Sequence, residues 1–394
     1  MAELFPHPQA RRNFIGLGVV AGMAMLAGCQ VIPKDEGRVP PPPVREEEEE
    51  TQPVQNLPQD ENRNRVAVLV PMTGDNAAVG KSIANAANLA LIDTGGEGVR
   101  ITFYDTAKGA AAAANEALAD GNGLFLGPLL AEDVSAVAPI ARGRGVPVVA
   151  FSNDVDVAGN GVYIMGFNPA HSIARVVDHA KAQGMTRFAA LVPDGTYGRR
   201  AGQAMIDAVE EAKGRLVSMQ TFGRTPAAMT AAVAKLNAAG GYDAVLIADN
   251  GRIAMQAAPV IRRGAASAKI LGTELWNIES GLGGQAALRG AWFASVSDAR
   301  FNQLRTRYRA RYGANPYRLA SLGYDAVLVA IRLAGKEWKF GRTFPASALR
   351  DPGGFTGVDG AFRFGRDGIA QRALEVKQVA ASGTTTVSPA PSGF

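Results

Sequence analysis

From Arg65 onward the chain alternates short, almost wholly apolar runs with longer stretches of helical patterning. "RVAVLVPM" (65–72), "VRITFYDT" (99–106), "GLFLGPL" (123–129) and "VPVVAFS" (146–152) are predicted strands. Their apolar positions do not alternate with polar ones, as expected of strands buried on both faces of a parallel sheet. Between them lie predicted helices at 77–93, 110–120 and 132–145. A second series follows the same rhythm. Asn168 is placed to cap a helix with Pro169 at its first position and Gly184 past its end. Strands are predicted at 187–193, 215–222, 243–249 and 268–274, with helices at 198–214, 226–241 and 252–265. Two similar βα series imply an α/β chain of two doubly wound parallel-sheet lobes, with a ligand crevice at the strand carboxyl ends. Element lengths vary too much for a solenoid.

The segment before Arg65 has a different pattern. Arg11 and Arg12 precede sixteen uncharged, apolar-rich residues, "NFIGLGVVAGMAMLAG", and then Cys29, the one cysteine of 394 residues. The run is short for a membrane span and has the zones of an export signal. A single thiol cannot form an internal disulfide or a multi-thiolate metal site. "LAGC" resembles the lipobox of bacterial lipoproteins, which implies a signal peptide over 1–28, acylation of Cys29 and a membrane anchor. "RRNFIG" also resembles a twin-arginine motif, leaving the export route open between that and the general secretory one. "GLGVVA" (16–21) fits a dinucleotide pattern only superficially, because no strand precedes it. Residues 29–64 hold a polyproline run and five consecutive glutamates with few large apolar residues, the composition of a disordered tether. At the polyproline rise residues 30–64 would reach roughly 110 Å, against about 30–35 Å for a flexible coil. By resemblance to enterobacterial sorting, Gln30 rather than Asp after the cysteine implies the outer membrane.

Charge is unevenly spread. Residues 65–394 carry thirty-five basic and twenty-six acidic side chains, a surplus of nine positive charges, while the whole chain is at +5. Arg300, Arg305, Arg307, Arg309 and Arg311 crowd one predicted helix, either as a solvated face or as a docking surface for an anionic partner. Export argues against a nucleic-acid partner.

Enzyme chemistry finds little support. No thiol other than Cys29 exists, no Gly-x-Ser-x-Gly elbow is present, and His171 and His179 stand eight apart, too far for an i, i+4 metal pair. Both histidines are expected on the surface or at a helix end. "GDNAAVGKS" encloses five residues between its glycines where a phosphate loop has four. The chain is therefore read as a non-enzyme, with no cofactor and no metal.

"VAVLVPMTGDNAAVGKSIANAANLALID", "FYDTAKG", "GLFLGPLLAEDVSAVAPIARGRGVPVVAFS", "PDGTYGRRAG", "GYDAVLVAIRLA" and "FTGVDGAFRFGRDGIAQRALEVKQV" follow in order. This series resembles the type I periplasmic binding proteins of the leucine-isoleucine-valine receptor group. "GVPVVAFSNDVDVAGNGVYIMGFNP" with "RFAALVPDGTYG" is most similar to the penicillin-binding protein activator lipoproteins. The resemblance implies a three-segment hinge, with an N-terminal lobe over 65–167 and 300–370. The C-terminal lobe would take 168–299 and 371–386, and 387–394 would be a flexible tail. It implies an amino-acid-like ligand held by Ser152, Asn153, Tyr197, Asp249, Asn250 and Glu274. The residues alone leave alternatives open: Ser152, Asn153 and Asp154 as caps of a helix or turn, Tyr197 as wall packing, Glu274 as the partner of a local arginine, and Trp276 as core or ligand cover. At the loop where the receptors carry hydroxyls this chain has Leu129, Leu130, Ala131 and Glu132, which suit an amino-acid carboxylate poorly. The implied partner is a penicillin-binding protein, a cell-wall synthase, with the permease of an ABC importer as the alternative. The implied location is the periplasm.

Overall fold

The computed structural model describes residues 62–96, 98–223 and 225–393. Cys29, the apolar segment and all but the last residues of the expected tether lie outside them.

The first lobe is built from β1 (Asn64–Val70), α1 (Ala77–Thr94), β2 (Val99–Asp105), α2 (Ala110–Ala119), β3 (Leu124–Leu126), α3 (Ala131–Arg142), β4 (Val148–Ala150) and β5 (Val162–Ile164). Its five strands are parallel, in the order β2-β1-β3-β4-β5. Val66 to Val70 are inaccessible to solvent, the burial their unbroken apolar run demands. The chain then enters α4 (Pro169–Ala182), where Asn168 Oδ1 accepts from Ala170 N at 3.0 Å and caps the helix.

The second lobe continues with β6 (Arg187–Pro193), α5 (Thr196–Glu211), β7 (Arg215–Phe222), α6 (Pro226–Ala239), β8 (Ala244–Ile247), α7 (Gly251–Gly264), β9 (Lys269–Gly272) and β10 (Trp292–Ser295). The chain returns to the first lobe for α8 (Ala299–Tyr312) and α9 (Ala320–Lys336). It also forms there a small antiparallel sheet of β11 (Phe355–Gly357), β12 (Gly360–Phe364) and β13 (Ala370–Arg372). It crosses once more into β14 (Glu375–Ala380) and β15 (Gly383–Ser388). The larger sheet runs β15-β14-β10-β9-β8-β6-β7, parallel except that β14 and β15 join antiparallel.

Both lobes use one packing device. A Cβ on Gly80, near the start of α1, would lie 1.9 Å from Pro71 O, and one on Gly198 in α5 would lie 1.6 Å from Pro193 O. Each helix therefore starts pressed against the backbone that ends its preceding strand, where only glycine fits. This fixes the positive ends of the two helices at the carboxyl edges of the sheets, where the lobes meet.

Trp276 is fully buried and donates from Nε1 to Asp249 O at 3.0 Å, so it is core rather than ligand cover. On α8, Arg305, Arg307, Arg309 and Arg311 are exposed, while Arg307 pairs with Asp93 at 3.4 Å and Arg300 donates to Gly357 O. The small antiparallel sheet and the antiparallel edge were not foreseen from the strand pattern, and β15 extends into the first two residues of the expected flexible tail.

Candidate functional site

The loops at the carboxyl ends of the strands enclose a cavity of about 480 Å³ between the lobes. The first lobe contributes Asn76, Val79, Leu129, Leu130, Phe151 and Asn153. The second contributes His171 and Ser172 from α4, Glu274 to Ile278 in part from the turn after β9, and Ser295 with Val296 after β10. Residues at or near the crossings complete it, chiefly Phe167, Asn168, Arg318 and Arg372.

Of the six residues implied as ligand-binding, Asn153 and Glu274 line this cavity. The other four serve the wall behind it. Ser152 is buried and its Oγ accepts from Asp154 N at 3.1 Å, closing the turn after β4. Asp249 is buried, with Oδ1 accepting from Asn250 N at 2.7 Å, and Asn250 Oδ1 caps α7 by accepting from Ile253 N at 3.1 Å. Tyr197 OH lies 3.2 Å from Thr273 Oγ1 and 3.4 Å from Glu274 Oε1. Burial and the neighbouring Glu274 push its phenol well above the ordinary tyrosine range.

Glu274 meets hydroxyls on both oxygens, Tyr197 at Oε1 and Ser172 at Oε2, and among the described residues its hydrogen bonds include no arginine. Burial raises its pKa, opposed by these hydroxyl contacts. His171, expected at the surface or at a helix end, sits in the first turn of α4 but faces the cavity. Burial, then the charge of Arg372, lowers its pKa, so the ring is neutral at pH 7. His179 packs edge-on against Trp292, with ring centroids 4.6 Å apart.

The crossing residues form a buried charge cluster that sequence reasoning missed. Arg318 pairs with Asp359 at 2.6 Å, and Ser321 Oγ donates to Asp359 at 2.7 Å. Asp325 accepts from Val358 N at 2.6 Å and Asp359 N at 3.3 Å. Arg372 donates from Nη2 to Met165 O at 2.7 Å and lies near the rings of Phe167 and Phe362, at 5.0 and 5.1 Å from their centroids. Arginines isolated in sequence carry no motif, and the folding of three distant segments onto one crossing assembles them. On one side of the cleft Arg200 of α5 reaches Asp154 at 2.5 Å and Asp156 at 2.9 Å, an ion pair between the lobes. Burial works to raise the Asp154 pKa, but Arg200 and the Asp156 N–H hold it below its usual range.

Among the described residues no cluster of side chains is suited to hold a metal ion, and no helix is long and apolar enough to cross a membrane.

A sequence profile for periplasmic binding proteins matches residues 64–384. An uncharacterized protein of Rickettsia prowazekii is 24% identical over 185 residues, which cover 45% of this chain and 48% of that protein, so the match spans about half of each. A putative branched-chain amino acid ABC transporter protein from Rhodospirillum rubrum is similar in structure, with TM-score 0.73, 20% identity, and coverage of 82% of this chain and 100% of its own. The C-domain of LpoA from Haemophilus influenzae, described as a regulator of PBP1A, gives TM-score 0.65 and 17% identity over 82% of this chain and 100% of its own. The leucine-binding protein LivK from Thermotoga maritima gives 0.59 and 22% over 83% and 98%.

Proposed function

Since the chain belongs to the periplasmic binding protein family, we propose that it works as a non-catalytic, lipid-anchored periplasmic regulator that activates a penicillin-binding protein by contact. The observation carrying this reading is the first-lobe wall of the cleft. Leu129 and Leu130 line it where a solute receptor would need hydroxyl and amide donors for an amino-acid carboxylate. Apolar side chains at that place cannot replace the water a carboxylate loses on entry. The fold shared with both the LpoA C-domain and importer receptors is compatible with either role. Acylation of Cys29 would hold the chain at the membrane, with residues 29–64 as a spacer toward the synthase, and the lobe boundaries at 167/168, 299/300 and 370/371 belong to the same proposal.

A second reading, a receptor delivering amino acids to an ABC permease, is favoured by Glu274, which stands in the second lobe where an ammonium could be held.

The two separate in cells. Membranes solubilised from cells making the tagged full-length chain are expected to yield a synthase, visible with a fluorescent penicillin, in the captured fraction. Cys29→Ser should abolish labelled-palmitate incorporation and release the chain from membranes. Recovery of permease subunits without any penicillin-labelled band, together with loss of amino-acid uptake on deletion, would overturn the regulator reading.

A further inference from the structure

Residues 299–324 carry six arginines and no carboxylate. In α8 the apolar positions Phe301, Leu304 and Tyr308 are buried in the first-lobe core, and the opposite face, which meets solvent, holds Arg305, Arg307, Arg309 and Arg311. A solvated helix face ordinarily mixes signs, because opposite charges four residues apart attract and like charges repel. Here both four-residue pairs, Arg305 with Arg309 and Arg307 with Arg311, are like-charged. The helix dipole offsets the repulsion for Arg309 and Arg311, which lie in the last turn, but not for Arg305.

Little within the chain answers these charges. Arg307 pairs with Asp93, and the Arg311 guanidinium lies 6.0 Å from the ring centroid of Tyr312. Arg305 and Arg309 have no hydrogen bond or ion pair from their side chains among the described residues. An exposed aromatic stands near them. Tyr317 is 50% exposed, and its N–H donates to Ser82 Oγ at 3.0 Å. One turn further along α1 the carbonyl of Asn85 accepts from Tyr312 OH at 3.0 Å. α1 thus holds Tyr317 near the end of α8.

Composition narrows the occupant. A lipid surface would call for large apolar side chains to bury among acyl chains, and beside its arginines the exposed face of α8 offers Asn302, Gln303, Thr306 and Ala310 instead. Every cation here is an arginine, whose planar fork grips carboxylates pairwise, and arginine with tyrosine is the composition that marks protein contact surfaces. We propose that the arginine face of α8, with Tyr317, docks on a carboxylate-rich surface of a partner protein, which under the regulator reading is the synthase. The inference rests on that reading and adds the surface of contact. Neither the four arginines nor Tyr317 line the cavity, so the contact is separate from the cleft.

The test compares the tagged full-length chain, unaltered or carrying Arg305→Glu with Arg309→Glu, for the penicillin-labelled synthase captured from solubilised membranes. The double reversal is expected to cut capture about tenfold or more, with a melting temperature within about 2 °C of the unaltered chain, since both positions are exposed. Raising NaCl from about 50 to about 300 mM should lower capture by the unaltered chain more steeply than by the variant. If the reversed chain does not fold, Arg305→Gln with Arg309→Gln decides, with a loss of about threefold expected. No capture by the unaltered chain would sink the regulator reading and this inference with it. Equal capture by the unaltered and altered chains would sink the inference alone. So would a variant that keeps the synthase but no longer sediments with peptidoglycan sacculi or floats with phosphatidylglycerol vesicles, because the face would then belong to polymer or lipid.

Discussion

Single side chains in this protein often hold a wall in place. Trp276 shows how. Its ring lies so close to Gly272 that a Cβ there would come within 2.3 Å of the indole, and its Nε1 donates to the carbonyl of Asp249. Trp276→Phe keeps an aromatic body but removes that donor, and is expected to cost about 1–2 kcal/mol in urea unfolding. A loss below about 0.5 kcal/mol would show the hydrogen bond to be dispensable. The same distinction between wall and lining explains what was legible at this scale. Asn153 and Glu274 could be placed from loop position, because a residue just past a parallel strand emerges at the crevice. Ser152 and Asn250 occupy equivalent positions but spend their side chains on a turn and a helix cap. Polar side chains of this kind bond the local backbone as readily as a ligand, and sequence does not say which. His171 was missed because nothing in its neighbourhood distinguishes the cavity face of α4 from its outer face.

At the level of elements the strand and helix order was readable through β9 except for β5, since buried parallel strands and long helices leave distinct patterns, while β5 and β10 were not among the predicted strands. The antiparallel material, β11 to β15, escaped as well, because its strands are short and partly exposed, so that neither period stands out. The glycines at the helix starts were visible in the motifs, but their reason appears only in the packing. Gly198→Ala puts a Cβ 1.6 Å from Pro193 O, a backbone atom that cannot rotate away. The variant should shift α5 off β6 and lower stability by about 1–3 kcal/mol, where alanine would otherwise favour a helix. Equal or greater stability on chemical denaturation would mean that α5 moves without cost.

For the molecule as a whole, the charges buried where the lobes join link stability to pH. Burial, then the charge of Asp359, pushes the Asp325 carboxyl up to about 7 from an ordinary value of 3.8, against the opposing pull of Arg372 and of the N–H groups of Val358 and Asp359. Around it stand Tyr324 on its own helix, Asp359 on the β11–β12 turn, Arg372 on β13 and Arg318 ahead of α9. Between pH 4 and 7 the folded state therefore holds a proton that the unfolded chain has released. This contribution to stability is fully present below about pH 4 and is lost as pH rises to about 7. His171 and His179 act in the opposite sense: both pKa values are lowered by burial, so folding favours their neutral form and gains as pH rises through the histidine range. The two effects are separated by comparing the unaltered chain with Asp325→Asn, which keeps an acceptor for Val358 N but cannot titrate. From pH 5 to 8 the melting temperature of the unaltered chain should fall relative to that of the variant by about 2–6 °C. Parallel curves would mean that Asp325 is already ionised at pH 5, with Arg372 outweighing both burial and Asp359.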